Sequence, residues 1–406
     1  MASTKGSSGG AVSVNILLAL SFSHFINDML QSLLFSIYPI LKASLALNFT
    51  QIGTITMTYQ LTSSLLQPAV GIYTDKNPKT YSLPFGMVLM LTGIILLSHA
   101  DQFITILMSA AFIGTGSAIF HPEASRMTRA ASGGKHGLAQ SFFQVGGNAG
   151  TAFGPLLAAY LVLPNGQQSI CWFSADALLA IGLLVFASLW YKAHYIRKQV
   201  FQPVRAKTTL ATVPPRKLAM SIFILMLLIF SKYFYIASMN NYYMFYLMNK
   251  FYIPVHEAQI DLFIFLGAIA LGTLAGGPIG DRFGRKRVIW ISILGPLPFT
   301  VMLPYADLFY TVVLSFIIGF ILASALTTII VYAQELIPGK PGTISGIFFG
   351  FAFGMSATGA IALGKLADKI SIELVYQFCA WLPAIGLLTV FLPDTRRLPK
   401  QVIYID

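Results

Sequence analysis

Charge is scarce in this chain. Only 10% of its 406 residues are Asp, Glu, Lys or Arg, against about 25% in an ordinary soluble domain. Apolar residues make up 56% and the mean hydropathy is +0.73, so a soluble globular protein is excluded. Cysteine is scarcer still. Cys171 and Cys379 are the only two, and each lies inside an apolar run. They read as small buried side chains, not as a disulfide or a thiolate metal centre. His-Glu-x-x-His, Gly-x-Ser-x-Gly and Gly-x4-Gly-Lys-Ser/Thr are also missing, and with them the usual signatures of an enzyme. His121 and Glu123 alone are too few for a metal centre, which needs three or four ligands. Neither a catalytic site nor a metal or cofactor is expected.

What the chain does have is long apolar runs. A membrane-crossing helix needs about 20 such residues. Twelve spans meet the pattern, at 14–41, 50–73, 81–100, 103–122, 137–163, 170–191, 218–248, 257–280, 287–305, 308–334, 342–364 and 371–392. Bilayer hydrocarbon cannot satisfy exposed backbone groups, so the runs read as helices, not barrel strands. The first is too long for the core of a signal peptide and contains His24 and Asp28, so a permanent helix is expected. The expected fold is an all-α integral membrane protein of twelve transmembrane helices.

Basic residues set the orientation. With the N-terminus in the cytoplasm, inner segments carry 21 Lys and Arg and outer segments 4, with Lys232 inside a span. Both termini are therefore expected in the cytoplasm. The net charge of +12 is explained by topology, with anionic inner-leaflet lipid as its partner and no nucleic acid.

The chain also repeats itself. Gly71-Ile-Tyr-Thr-Asp75-Lys76 returns 206 residues later as Gly277-Pro-Ile-Gly-Asp281-Arg282. Phe22-Ser-His24-Phe matches Phe230-Ser-Lys232-Tyr, Phe142-Phe143 matches Phe348-Phe349, and Cys171-Trp172 matches the region of Cys379-Ala-Trp381, with offsets near 206. Between the copies, residues 192–217 hold seven basic residues, no acidic ones and three prolines. The division is a tail at 1–13, a six-helix bundle at 14–191, a basic cytoplasmic linker at 192–217, a second bundle at 218–393 and a tail at 394–406. Two pseudo-symmetric bundles with a site between them near the midplane are the layout of a secondary transporter. Spans 1, 2, 4, 5, 7, 8, 10 and 11 are expected to line the cavity, with 3, 6, 9 and 12 outside.

Ionisable residues deep in a span usually have a use. His24, Asn27, Asp28 and Gln31 share one face of span 1. Asp28 and His24 are the proton-carrier candidates; a satisfied structural network is the competing reading. Lys232 holds the matching place in span 7, with Tyr235, Met239, Tyr242 and Tyr246 along the same face. These can contact an anion or simply pack. His121, Glu123 and Arg126 close span 4, either as a proton relay and inner gate or as an interfacial ion pair. Polar stripes run through span 2 (Thr56, Gln60, Ser63, Gln67) and span 5 (Gln140, Gln144, Asn148).

The pattern Gly277-x-x-x-Asp281-Arg282-x-Gly284-Arg285-Lys286 resembles the loop 2–3 signature of the major facilitator superfamily. Its first copy, Gly71 to Lys76, is degenerate. The resemblance implies that Asp75 and Asp281 make charge contacts that stabilise one access state; topology-setting charge is the alternative. Longer strings, Gly114 to Arg126 and Ala131 to Asn148, resemble a drug-exporting branch of that family in Gram-negative bacteria. That likeness implies a monomeric inner-membrane exporter of a small anionic phosphonate drug, driven by proton antiport with no cofactor beyond the proton gradient. Uptake of a metabolite anion or sugar uses the same fold. Two departures stand out. Ala110 replaces the Arg of many drug exporters in span 4, and Ala158-Ala159 replace the Gly-Gly that follows Gly150-x-x-x-Gly154-Pro155 in the antiporter signature.

Overall fold

The structure, a computed structural model, describes residues 12–76, 80–133, 136–194, 206–211, 214–323, 325–337, 341–394 and 400–405. The first half contains α1 (Val14–Ser36), α2 (Tyr38–Ser44), α3 (Phe49–Lys76), α4 (Ser82–Ser98), α5 (Phe103–Ala131) and α6 (His136–Leu157). A π-turn at Ala158–Val162 leads to α7 (Leu163–Asn165), a 3-10 turn at Gln167–Phe173 and α8 (Ser174–His194). The second half contains α9 (Pro215–Phe251), α10 (Val255–Phe283), α11 (Arg285–Leu294), α12 (Leu297–Met302), α13 (Leu308–Ala323), α14 (Ala325–Leu336), α15 (Pro341–Lys369), α16 (Ile372–Cys379) and a 3-10 segment at Leu382–Phe391.

Among the described residues, eight helical segments are long and apolar enough to cross a membrane, and Ser82–Ser98 is a shorter apolar helix. The helices α1, α3 and α6 fall outside that count. They carry the polar stripes, and polar residues lower the mean hydropathy of any window that contains them. Their polar faces turn inward, as described below.

Inside the first half, α1 packs on α6, and α5 packs on both α3 and α4. Small residues at four-residue spacing permit the first contact. A Cβ on Gly150 would strike the backbone of Phe25 and Met29, and one on Gly154 would strike Ser32. The span 5 motif is therefore a packing seam here. Pro155 has no N–H to offer the Thr151 carbonyl one turn back. The Ser32 hydroxyl donates to that carbonyl instead, at 2.6 Å, which ties α1 to α6 where the helix loses its own bond.

The halves meet through α3 on α15 and α6 on α10. The bonds that join them cluster at one end. Asp368 of α15 accepts from the Phe49 and Thr50 amides and from the Thr50 hydroxyl of α3, at 2.9, 2.8 and 2.6 Å. The Tyr242 hydroxyl reaches the Phe49 carbonyl across the halves at 3.3 Å while also bonding the Ala360 carbonyl within its own half. Thr56 bonds Asn241, and Gln259 Nε2 donates to the Ser36 carbonyl. Gly53 makes this closure possible, because a Cβ there would lie 2.5 Å from the Ala360 carbonyl oxygen.

Large apolar side chains cover the outside, among them Phe85 of α4, Leu178 and Phe186 of α8, and Trp290 of α11. Span 10 departs from expectation. Its helix α13 turns Phe309, Val313, Phe316 and Phe320 outward, and neither α13 nor α14 lines the cavity among the described residues. A second departure lies in the linker and the C-terminal tail. Ala206–Ala211 (β1) and Lys400–Ile405 (β2) pair as an antiparallel two-stranded ribbon, which joins the two segments; among the described residues these are the only strands.

Candidate functional site

A cavity of about 1210 Å³ lies between the halves. The first half supplies its polar wall: His24, Asp28 and Gln31 from α1, Tyr59, Gln60 and Gln67 from α3, Ser117 and His121 from α5, and Gln140 and Gln144 from α6. The second half supplies Asn240, Leu262, Leu266, Ile347, Phe349, Gly350 and Phe353. All but Asn240 and Gly350 are apolar side chains. The polar faces that the sequence shows in spans 1, 2 and 5 thus meet a largely apolar wall from the second half.

Asp28 sits at the centre of a network. Its Oδ1 accepts from Asn27 Nδ2 at 2.8 Å and from Gln31 Nε2 at 3.3 Å. Gln31 in turn accepts from the Tyr59 hydroxyl. On the other oxygen, Oδ2 lies 3.2 Å from His24 Nε2, and His121 Nε2 lies 3.8 Å from Oδ1. The helical spacing of His24 and Asp28 puts them one turn apart on α1, and α5 brings His121 up from a different helix.

His24 is fixed on its far side. Its Nδ1 lies 2.8 Å from the Phe143 carbonyl oxygen, and its ring stacks on Phe143 with centroids 4.0 Å apart. A carbonyl oxygen only accepts, so Nδ1 must carry the hydrogen. In a neutral ring Nε2 is then a bare lone pair, aimed at a carboxylate oxygen. Two acceptors do not stay 3.2 Å apart in a buried site without a cation between them. One shared proton satisfies the pair, whether drawn as imidazolium–carboxylate or as imidazole–carboxylic acid.

Gly147 of α6 makes room for this pair. A Cβ there would run into the His24 ring and lie 2.6 Å from Asp28 Oδ2. No single-sequence signal marks that requirement, because the contact joins helices more than a hundred residues apart.

The structure corrects several expectations. Lys232 is buried, with 4% exposure, and lies off the cavity wall. Its Nζ lies 5.7 Å from the Tyr233 ring, and it is not among the residues that line the cavity, so it is not placed to contact an anion there. Tyr235 and Met239 are core residues, and Tyr242 belongs to the seal between the halves. The helix α9 is rotated relative to expectation, so Asn240, not Lys232, faces the cavity. Glu123 and Arg126 do not reach the cavity. Glu123 is 1% exposed; it accepts from Arg126 Nη2 at 2.5 Å and from the Ser82 hydroxyl at 2.9 Å, which pins α5 to α4. Asn27 and Asn148 lie behind the wall, where they bond Asp28 and Gln144 respectively. Thr56 works in the seal.

Of the loop signature, Gly71, Asp75 and Lys76 end α3, and Gly277, Asp281 and Arg282 end α10; the side chains of all six lie outside the described residues. Arg285 Nε lies 3.6 Å from Glu335 Oε1 of α14. Sequence reading missed Tyr59, Asn240 and Glu335; Asp368 stands out in sequence only as part of Gly364-x-x-x-Asp368-Lys369, a third fragment of the loop signature, and not as a contact to α3. Tyr59 was within reach, since it falls on the polar face of α3 with Thr56 and Ser63.

Comparison with known proteins agrees with this architecture. Residues 20–246 and 227–403 match the model of the Major Facilitator Superfamily. The fosmidomycin resistance protein of Escherichia coli (strain K12) is 56% identical over 385 residues, covering 95% of this chain and 94% of that protein. An uncharacterized MFS-type transporter of Bacillus subtilis (strain 168), YfnC, is 41% identical over 94% of each chain. Among solved structures, the nucleoside transporter NupG (D323A mutant) superposes with a TM-score of 0.73 at 14% identity, over 92% of this chain and 99% of that one. An inward-facing bacterial homolog of the human lysosomal transporter Spinster gives 0.71 at 14%, over 94% and 95%. At that identity the likeness shows the fold alone. The helical architecture, the cavity between its halves and the match along nearly the whole sequence place this chain in the major facilitator superfamily of membrane transporters.

Proposed function

We propose that this chain exports a small anionic drug of the fosmidomycin kind across the bacterial inner membrane, in exchange for protons. The observation that carries the reading is the His24–Asp28 pair. It requires one cation between two acceptors, one buried and one half-buried, and it sits on the wall of the cavity. Twelve transmembrane helices in two bundles, both termini in the cytoplasm and a monomeric carrier complete the reading. The excess of basic residues on one side supports that orientation.

With the termini inside, the bonded end through Asp368 and Tyr242 is the outer end, and the cavity faces the cytoplasm. A drug entering from there meets Asp28. Its O–H or N–H groups and the shared proton compete for the same carboxylate oxygen. Binding of the drug thus accompanies loss of the proton to the cytoplasm. Once the halves rock and the outer end opens, a proton from outside restores the His24 bond and expels the drug. Glu123 and Arg126 act as a brace between α4 and α5.

The test is radiolabelled fosmidomycin flux in proteoliposomes under an imposed pH gradient. Uphill drug movement opposite to the proton flow is expected. Movement with the protons would replace export by uptake, and flux insensitive to the gradient would remove coupling altogether.

A further inference from the structure

We infer that His24, Asp28 and His121 form a binding site for one divalent transition-metal ion of the zinc class, on the wall of the central cavity. The inference needs only the arrangement of these groups, not the proposed proton exchange.

Sequence reading counted His121 with Glu123 and stopped at two donors. The fold changes the set. Glu123 turns away, and α1 brings His24 and Asp28 against His121. One donor atom from each of the three lies within 4.8 Å of the other two. Zinc–nitrogen and zinc–oxygen bonds of about 2.0–2.2 Å imply donor–donor edges of about 3.3–3.5 Å around a tetrahedral ion. His24 Nε2 lies 3.2 Å from Asp28 Oδ2, whereas His121 Nε2 lies 3.8 Å from the other oxygen, Oδ1, so closing the cluster around Oδ2 needs a turn of one ring toward that oxygen. His121 is the ring able to make it. Its side chain is 29% exposed to the cavity, and no hydrogen bond holds its nitrogens among the described residues.

The surroundings are those of a built site. Metal-bound imidazoles characteristically donate their other N–H to a carbonyl or carboxylate. His24 does so to Phe143, which turns the lone pair of Nε2 toward Asp28. On Asp28, Asn27 and Gln31 occupy Oδ1, which leaves Oδ2 toward His24 for the ion. All three residues line the cavity, so water or an oxygen of a bound anion there can complete the shell. Two imidazoles and one carboxylate favour zinc, nickel or copper ions over magnesium and calcium, which take oxygen ligands.

The experiment is zinc titration of the purified full chain by calorimetry in detergent, with an affinity tag that contains no histidine. One ion per chain is expected, undisturbed by millimolar magnesium. The double variant His24→Ala/His121→Ala should bind at least about 100-fold more weakly, since even second-shell partners are worth about 10–100-fold. His121→Cys, which offers a thiolate donor, should restore binding to His121→Ala. Thermal melts establish that each variant is folded. If His24→Ala does not fold, His121→Ala alone decides. His99, His136, His194 and His256 remain in every variant, so undiminished binding in the double variant belongs to them and overturns the inference. Absence of saturable binding, or equal competition by magnesium, also overturns it.

Discussion

Asp368 is the residue whose loss should most cleanly open the sealed end. Its carboxylate spans from α15 to the first turn of α3, accepting two amides and one hydroxyl. The first amides of a helix have no partner within it, and a carboxylate there gains from the helix dipole. Replacing such a cap costs about 0.5–2 kcal/mol. Asp368 is solvent-exposed, so screening keeps the figure near the middle of that range. This bond exists only while the halves touch, so its loss falls entirely on the balance between closed and open forms. A shift of about 1–1.5 kcal/mol moves that balance by about 5- to 12-fold. Spin labels at Asn165→Cys and Tyr305→Cys, with Cys171 and Cys379 replaced by Ser, report the separation of the halves at this end. Asp368→Ala should raise the longer-distance population by about that factor, and Thr50→Val, which removes one bond of three, by less. An unchanged distance distribution in Asp368→Ala would refute the assignment of this contact as a latch.

Three further outcomes follow from the same geometry. Asp28→Asn has no site for the shared proton; it should abolish uphill flux driven by a pH gradient while drug binding remains measurable, and wild-type flux in this variant would remove Asp28 from coupling. Gly147→Ala should force His24 and Asp28 apart, with a large loss of gradient-driven flux and little change in melting temperature; a fully coupled Gly147→Ala carrier would show that the pair is not needed. Glu123→Gln breaks a buried ion pair, a change that costs about 3–5 kcal/mol in such settings; melting temperature should fall, while drug moved per proton stays constant in the surviving molecules. A change in that ratio would return Glu123 to the transport pathway.

The architecture was legible in the sequence because membrane insertion depends on local composition. Run length is a one-dimensional signal with a direct physical cause in the bilayer, and the 206-residue repeat is a one-dimensional signal of two similar halves. The polar face of α1 was legible for a similar reason, since helical spacing alone puts His24, Asp28 and Gln31 on one side. What the sequence did not contain was rotation. Nothing local says how far α9 turns about its own axis, and that angle decides whether Lys232 or Asn240 meets the cavity. Nor does composition reveal that α13 faces outward. The same holds for Glu123, which looks like its neighbour His121 in sequence but points 200° away around the helix, toward Ser82. Partners from distant helices belong to the tertiary structure. Phe143 fixes the His24 ring, Gly147 leaves room for the pair, and Asp368 reaches α3 across 318 residues. Helix formation is settled by each segment in turn, whereas these contacts depend on the packing of whole helices against one another, where a shift of a single ångström decides which side chains can touch.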